Sequence, residues 1–258
     1  MKKVEYILSL SYGKDSLACI GAIKELGLPL DRIVHCEVWA TPTIQADLPP
    51  MVEFKEKADK IIKDKFGYTV ERVKAPYSYQ DYFYKICNGK KSKYSGEIYG
   101  FPFRRGAWCN SRLKVSVLNK IKGCHYVGIA YDEPNRFHVL DNNKKISPLV
   151  LAKWTEKDCY NWCVDNDLLS PIYTTLFRGG CWFCHNQGVN QLRLLRNNYP
   201  ELWELLLKWD KDSISTFKAN GHTVADYEER FKMEDEKIID IDDKWHWSNL
   251  DFVQLKMI

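Results

Sequence analysis

Two short stretches of the chain carry residue types that do chemistry. The first, Ser11-Tyr12-Gly13-Lys14-Asp15-Ser16, lies between an apolar run and an amphipathic one. A loop at a strand-to-helix junction presents unpaired backbone N–H groups, and the helix dipole favours an anion beside them. Ser11 and Ser16 add hydroxyls, Gly13 permits close backbone approach and Lys14 adds positive charge, so a phosphate compound is the expected ligand. Asp15 repels phosphate unless magnesium lies between them or the carboxylate turns inward as a cap. The loop is not a Walker motif: that pattern needs glycine at position 8, where Leu8 stands, and Ser or Thr where Asp15 stands. The second stretch, Cys181-Trp182-Phe183-Cys184-His185, is a C-x-x-C turn after Gly179-Gly180. Such a turn is half a metal site or a redox pair, and the pattern around it differs from a thioredoxin-like unit.

The elements that must position these residues appear as alternating apolar and amphipathic runs. Strands are predicted over 5–10, 32–39, 68–75 and 125–130, with a fifth in "KKISPLV". Helices are predicted for "SLACIGAIKELG", for "PPMVEFKEKADKIIKDKFG" with Pro at its start and Gly67 at its end, and for "TEKDCYNWCVDNDLL". The last begins at Thr155 with Asp158 three residues on, a capping signature. This β-α-β-α order predicts an α/β fold, a Rossmann-like parallel sheet with helices on both faces. After Pro171 the signals turn helical, apart from a strand-like "KIIDID". We therefore expect a nucleotide-binding domain over 1–175, and over 176–258 the C-x-x-C turn with a helical region packed on that core.

Composition narrows the class. The 258 residues are 45% hydrophobic, enough for one large domain or a core with an appendage, and the net charge of +4 requires any anion site to arise from local clustering. No run approaches the ~18 apolar residues of a membrane span, and the short apolar start reads as a first strand instead of a signal peptide. Cys19, Cys36, Cys124, Cys159 and Cys163 stand alone in apolar runs, as reduced core thiols of a cytoplasmic protein do. The segment from Lys85 to Lys114 is locally basic and contains Tyr94, Tyr99, Phe101, Phe103 and Trp108. Either a solvated loop, a lid over an anionic ligand or a nucleic-acid contact fits it.

The loop resembles the PP-loop of the adenine nucleotide alpha hydrolase group, S-x-G-x-D-S. Three further stretches resemble the phosphoadenosine phosphosulfate (PAPS) reductase family, and with the loop they follow that family's order over most of residues 5–205. "AWCNSRLKVSVL" is similar to its W-C-T-x-x-L-K-x-x-P-L segment and "GIAYDEPNRF" to its G-x-R-x-x-E-S-x-x-R segment. "SPLVLAKWTEKDCYNWCVDNDLLSPIYTTLFRGGCWFC" is similar to its P-L-x-x-W-(T/S)-x-x-D…G-x-R-x-G-C-x-x-C segment. The chain departs at Ala130, Pro134 and Ser116-Val117, where the family has arginine, serine and proline.

The resemblance implies an adenine nucleotide, ATP or PAPS, held by Ser11, Tyr12, Gly13, Lys14, Asp15 and Ser16 together with Val38, Trp39, Ile129, Ala130, Glu133 and Arg178. It implies catalytic roles for Lys14, Asp15, Lys114 and Arg136. It also implies Cys109, Cys181 and Cys184 as ligands of a [4Fe-4S] cluster, with His185 or Cys163 able to complete the set. From ligand type alone, iron-sulfur, zinc and no metal stay open. The family's reductases attack with a cysteine near the C-terminus in an E-C-G-(L/I)-H motif, whereas this chain has no cysteine after Cys184. The resemblance is therefore closer to ATP-using members such as sulfurylase and phosphorothioation proteins. That implies Mg2+, transfer of the adenylyl group to an acceptor with pyrophosphate release, and sulfur transfer with a sulfur donor protein as partner. A sulfonucleotide reductase with an atypical thiol and a non-catalytic nucleotide or nucleic-acid-binding protein are the alternatives.

Overall fold

A computed structural model describes residues 4–89, 94–102, 107–141, 144–173 and 179–242. In chain order the elements are β1 (Tyr6–Leu10), α1 (Lys14–Glu25), β2 (Arg32–Glu37), α2 (Pro49–Phe66), β3 (Val70–Lys74) and α3 (Tyr79–Phe83). Then come α4 (Trp108–Asn110), a π-helical turn (Ser111–Val115), α5 (Ser116–Leu118), β4 (Cys124–Tyr126), β5 (Lys145–Ile146), α6 (Pro148–Ala152) and α7 (Glu156–Asp165). The chain continues with α8 (Val189–Asn198), α9 (Pro200–Asp212) and α10 (Val224–Asp235).

The five strands form one parallel sheet in the order β3-β2-β1-β4-β5, surrounded by helices. This is the Rossmann-like α/β fold that the alternating pattern predicts. β1 is central, pairing Ile7 with Arg32 on one side and with His125 on the other. Such strands bury both faces, which is why β1 and β2 read as apolar runs. The chain winds outward through β2 and β3 on one side and through β4 and β5 on the other. The switch point thus lies between β1 and β4, and ligands of open parallel sheets bind in the crevice beyond the strand ends there.

Helix boundaries follow the local chemistry. Pro49 and Pro50 open α2, and Gly67, with φ +79°, closes it in the left-handed region. Thr155 and Asp158 form the expected capping box on α7. α1 packs against α6 and α7. Gly128, just after β4, is a point of close approach: a Cβ there would lie 2.5 Å from Ser16 N and 2.7 Å from Asp15 C. Only a glycine lets the segment after β4 press on the first turn of α1.

A second core lies beyond the sheet. Tyr79 and Phe83 of α3, Phe101, Trp108, Trp182, Phe183 and Trp209 of α9 are all buried. Tyr79 lies 4.2 Å from Phe183 and 4.9 Å from Trp108 between ring centroids, and Trp182 stacks on Trp209 at 5.6 Å. This aromatic cluster fastens the C-terminal helices to the loops that follow β2 and β3. The expected boundary between 175 and 176 lies outside the described residues.

Four expectations need correction. The fourth strand is Cys124–Tyr126 and not 125–130, because beyond Tyr126 the chain turns toward α1. β5 is only Lys145–Ile146, since Ser147 caps α6 through its side chain. The "KIIDID" stretch forms turns after α10 instead of a strand, while Pro200 separates α8 from α9 in the helical run before it. In the basic segment Phe101 and Trp108 are core residues, while Lys90, Lys91, Lys93, Phe103, Arg104 and Arg105 lie outside the described residues. We expect Gly128→Ala to lower stability by about 1–3 kcal/mol, because backbone must shift to admit the methyl group. Urea denaturation measures this.

Candidate functional site

The phosphate loop turns on Tyr12, a non-glycine residue with φ +59°. That conformation sends its side chain into the core, where it is fully buried and its hydroxyl donates to Asp59. Asp59 also accepts from Arg72 at 2.7 and 3.1 Å. Burial, with Asp59 adding to it, raises the Tyr12 phenol above its ordinary value. The two serines close the loop on itself: Ser16 Oγ accepts from Ser11 N at 3.1 Å and donates to Gly13 O at 3.0 Å. Gly13 caps α1 with no side-chain bond, leaving first-turn amides for other partners. One of these, Lys14 N, donates to the Tyr173 hydroxyl at 3.0 Å.

The Lys14 side chain is engaged by two carboxylates. Its ammonium donates to Asp15 at 2.7 Å and to Glu156 of α7 at 2.8 Å. Burial works against the Lys14 charge, but these two bonds outweigh it and raise Lys14 above its usual value. Burial raises Asp15, with the Lys14 hydrogen bond opposing it and Glu133 and Glu156 contributing nearby negative charge. Glu133 and Glu156 thus add negative charge near Asp15, each engaged by its own cation, Arg136 and Lys14.

Beside the loop lies a cavity of about 290 Å³ whose lining includes Ser11, Tyr12, Gly13, Val38, Lys114 and Cys181. A second cavity of about 200 Å³ is lined by Cys109, Cys181, Cys184, Asn110 and His185 among others. Val38, Lys114, Gly180 and Cys181 border both. Lys114 sits in the π-helical turn, a device that inserts one extra residue and re-aims a side chain. It has no hydrogen-bond or ion-pair partner among the described residues. The loop and the thiols, far apart in sequence, therefore line two adjoining cavities that share these four residues.

No protein-family model and no curated protein matches this chain. Among solved structures, it is similar to the U34-tRNA thiolase NcsA from Methanococcus maripaludis, solved with its [4Fe-4S] cluster. The alignment covers 88% of this chain and 81% of that one, at 13% identity and a TM-score of 0.39. So distant a likeness carries no argument about what this chain does.

The three thiols fit a soft-metal site by chemistry and by their shared cavity. Burial pushes Cys181 up to about 12, against the opposing charge of Lys114. Burial also raises Cys109, with Cys184 adding to it. Among the described residues no three His, Cys, Asp or Glu side chains converge on a point where one ion would sit. A single zinc ion would need its thiolates roughly 3.8 Å apart, given Zn–S bonds of about 2.3 Å in a tetrahedron. A cluster binds each cysteine through a different iron and so spans a wider set. His185 borders the thiol cavity, whereas Cys163 lies in α7 with its thiol donating to Lys14 O at 3.4 Å. Cys163 is therefore engaged at the first turn of α1 and borders neither of the two cavities.

Other predicted site residues are more dispersed. Trp39 does not line the phosphate cavity: its indole N–H donates to Glu37 at 3.3 Å and the Lys74 ammonium lies over its ring. Ile129 and Ala130 are buried beside α6, where Ile129 O accepts from Ser147 Oγ. Glu133 accepts from Ala130 N and pairs with the exposed Arg136 at 2.8 Å. Arg178 lies outside the described residues.

Lys55, His35 and Asp47, which the sequence did not single out as site residues, line the cavity beside the loop together. The available signal was position: Lys55 falls on the apolar stripe of α2 with Met51, Ala58 and Ile62. His35 donates from Nδ1 to Leu10 O at 2.8 Å, so Nε2 is bare and accepts from Lys55 at 2.9 Å. Burial, with Lys55 beside it, holds His35 neutral and lowers its pKa to about 3. An unfolded histidine titrates near 6.5, so between pH 6.5 and 3 the unfolded chain binds the extra proton. This contribution to stability is complete above pH 6.5 and is lost on acidification through that window, by at most about 1.4 kcal/mol per pH unit. We expect His35→Gln to flatten the pH dependence of the denaturation midpoint there.

Proposed function

We propose that this chain is a PP-loop enzyme that binds ATP and adenylylates an acceptor, with sulfur transfer following at the adjoining thiols. The observation that carries this reading is the shared wall of Val38, Lys114, Gly180 and Cys181 between the phosphate-loop cavity and the thiol cavity. Nucleotide phosphates would lie on the loop and on the first turn of α1, where amides and the helix dipole favour them. An acceptor oxygen bonds to the α-phosphorus while the bond to the bridging oxygen breaks, and pyrophosphate leaves with the electron pair. Lys114, at the junction and without a hydrogen-bond or ion-pair partner among the described residues, stabilises the charge that develops in that step. Magnesium arriving with the nucleotide would neutralise the phosphates further. The rest is positioning, and no covalent intermediate on the protein is required.

Cys109, Cys181 and Cys184 would hold a [4Fe-4S] cluster, which when bound leaves one iron without a cysteine and open to sulfur. The residues of this chain do the remaining work. Phe183, Tyr79 and Leu113 wall the thiol cavity against water, and Asn110 offers an amide to a polar acceptor.

Calorimetry on anaerobically purified protein tests the nucleotide. ATP with magnesium is expected to bind in preference to PAPS, and Asp15→Ala or Ser16→Ala to weaken it about tenfold. Preference for PAPS without magnesium overturns the reading. Iron and acid-labile sulfide are expected in the wild type and lost in Cys109→Ser, Cys181→Ser and Cys184→Ser. Cys163→Ser is expected to retain them. Zinc in place of iron would contradict the cluster and leave the nucleotide assignment standing.

A further inference from the structure

The cations around the phosphate loop are not arranged as the motif suggests. Lys14, the lysine within the motif, spends its ammonium on Asp15 and Glu156 and does not border the 290 Å³ cavity. Lys55 does border it, together with Ser11, Tyr12 and Gly13, and is only 3% exposed. An ammonium has three N–H donors. Two of those on Lys55 go to Asp47 at 2.5 Å and His35 at 2.9 Å, its only hydrogen-bond acceptors among the described residues. The ammonium also lies 5.5 Å from the centroid of the Tyr12 ring, beneath the loop itself.

A purely architectural role explains this arrangement poorly. An apolar residue on the stripe of α2 would pack as well, and burying an ion pair commonly costs more than it returns. The imidazole of His35 is neutral and its orientation is set by Leu10 O, so it fixes the ammonium without cancelling its charge. One carboxylate balances one cation, and one N–H remains for the cavity. We propose that Lys55, and not Lys14, is the buried cation that holds the phosphates of the bound nucleotide, with Asp47 and His35 as positioning residues. This rests on the nucleotide reading above and adds the direction of binding: the phosphates face α2 and the thiol cavity, not α7.

The test is calorimetric titration of ATP, inorganic pyrophosphate and adenosine into the full chain and its variants. Lys55→Met is expected to weaken ATP and pyrophosphate about tenfold or more, the loss of one charge-assisted bond, and to leave adenosine within about twofold. Asp47→Asn frees the ammonium from its carboxylate and is expected to tighten pyrophosphate. A merely architectural pair would not give opposite signs; both variants would lower the melting temperature and leave the affinities alike. Should Lys55→Met fail to fold, the double variant K55M/D47N removes both charges together and is expected to show the same loss. Wild-type affinity for ATP in Lys55→Met or in the double variant overturns this assignment and leaves the nucleotide reading intact. A wild type that binds neither ATP nor pyrophosphate overturns that reading, and this assignment with it.

Discussion

The site depends on the backbone of Tyr12. Holding a bulky L-residue in the left-handed region costs about 1–2 kcal/mol, so something must offset it. The ring is fully buried, worth roughly 1.5–3 kcal/mol, and its hydroxyl is bonded to a carboxylate already paired with Arg72. Burial wins, and the loop is bolted to α2 and β3. From that anchor the rest follows. Gly13 emerges at the end of β1, the serines latch across the turn, and α1 starts where Gly128 can meet it.

The thiol trio is placed by a different force. The C-x-x-C turn carries Trp182 and Phe183 between its cysteines, and both rings are buried in the second core. Trp182 also ties back to the loop after β2, through its N–H to Ala46 O and its indole to Gln45 O. The turn that carries the cysteines is fixed because the two rings between them are packed in that core. Aromatic packing thus does for the thiols what Tyr12 does for the phosphate loop.

Much of this was legible in the sequence, for identifiable reasons. The sheet followed from strands buried on both faces, and α2 and α7 from Pro, Gly and a capping box. β4 and β5 were poorly bounded because their apolar runs continue past the last pairing residue, into a turn against α1 and into the cap of α6. The phosphate loop was found by its residue types. Its anchor was not, since no local signal marks Tyr12 as inward or Asp59 as its partner 47 positions away. Lys14 is the lysine the motif offers, and its pairing with Glu156 could not be read from sequence because that contact exists only once α7 packs on α1. Lys55 carries no local mark of a site, although the period of α2 places it inward.

The central claim is that phosphate loop and thiols serve a single site. The most direct measurement is the alkylation rate of each cysteine in metal-free protein, followed by mass spectrometry with and without saturating ATP. Cys181 borders both cavities, while the partly exposed Cys87 borders neither and serves as the internal reference. The account predicts that ATP slows modification of Cys181 and leaves Cys87 unchanged. Equal rates at Cys181 with and without bound nucleotide would contradict it.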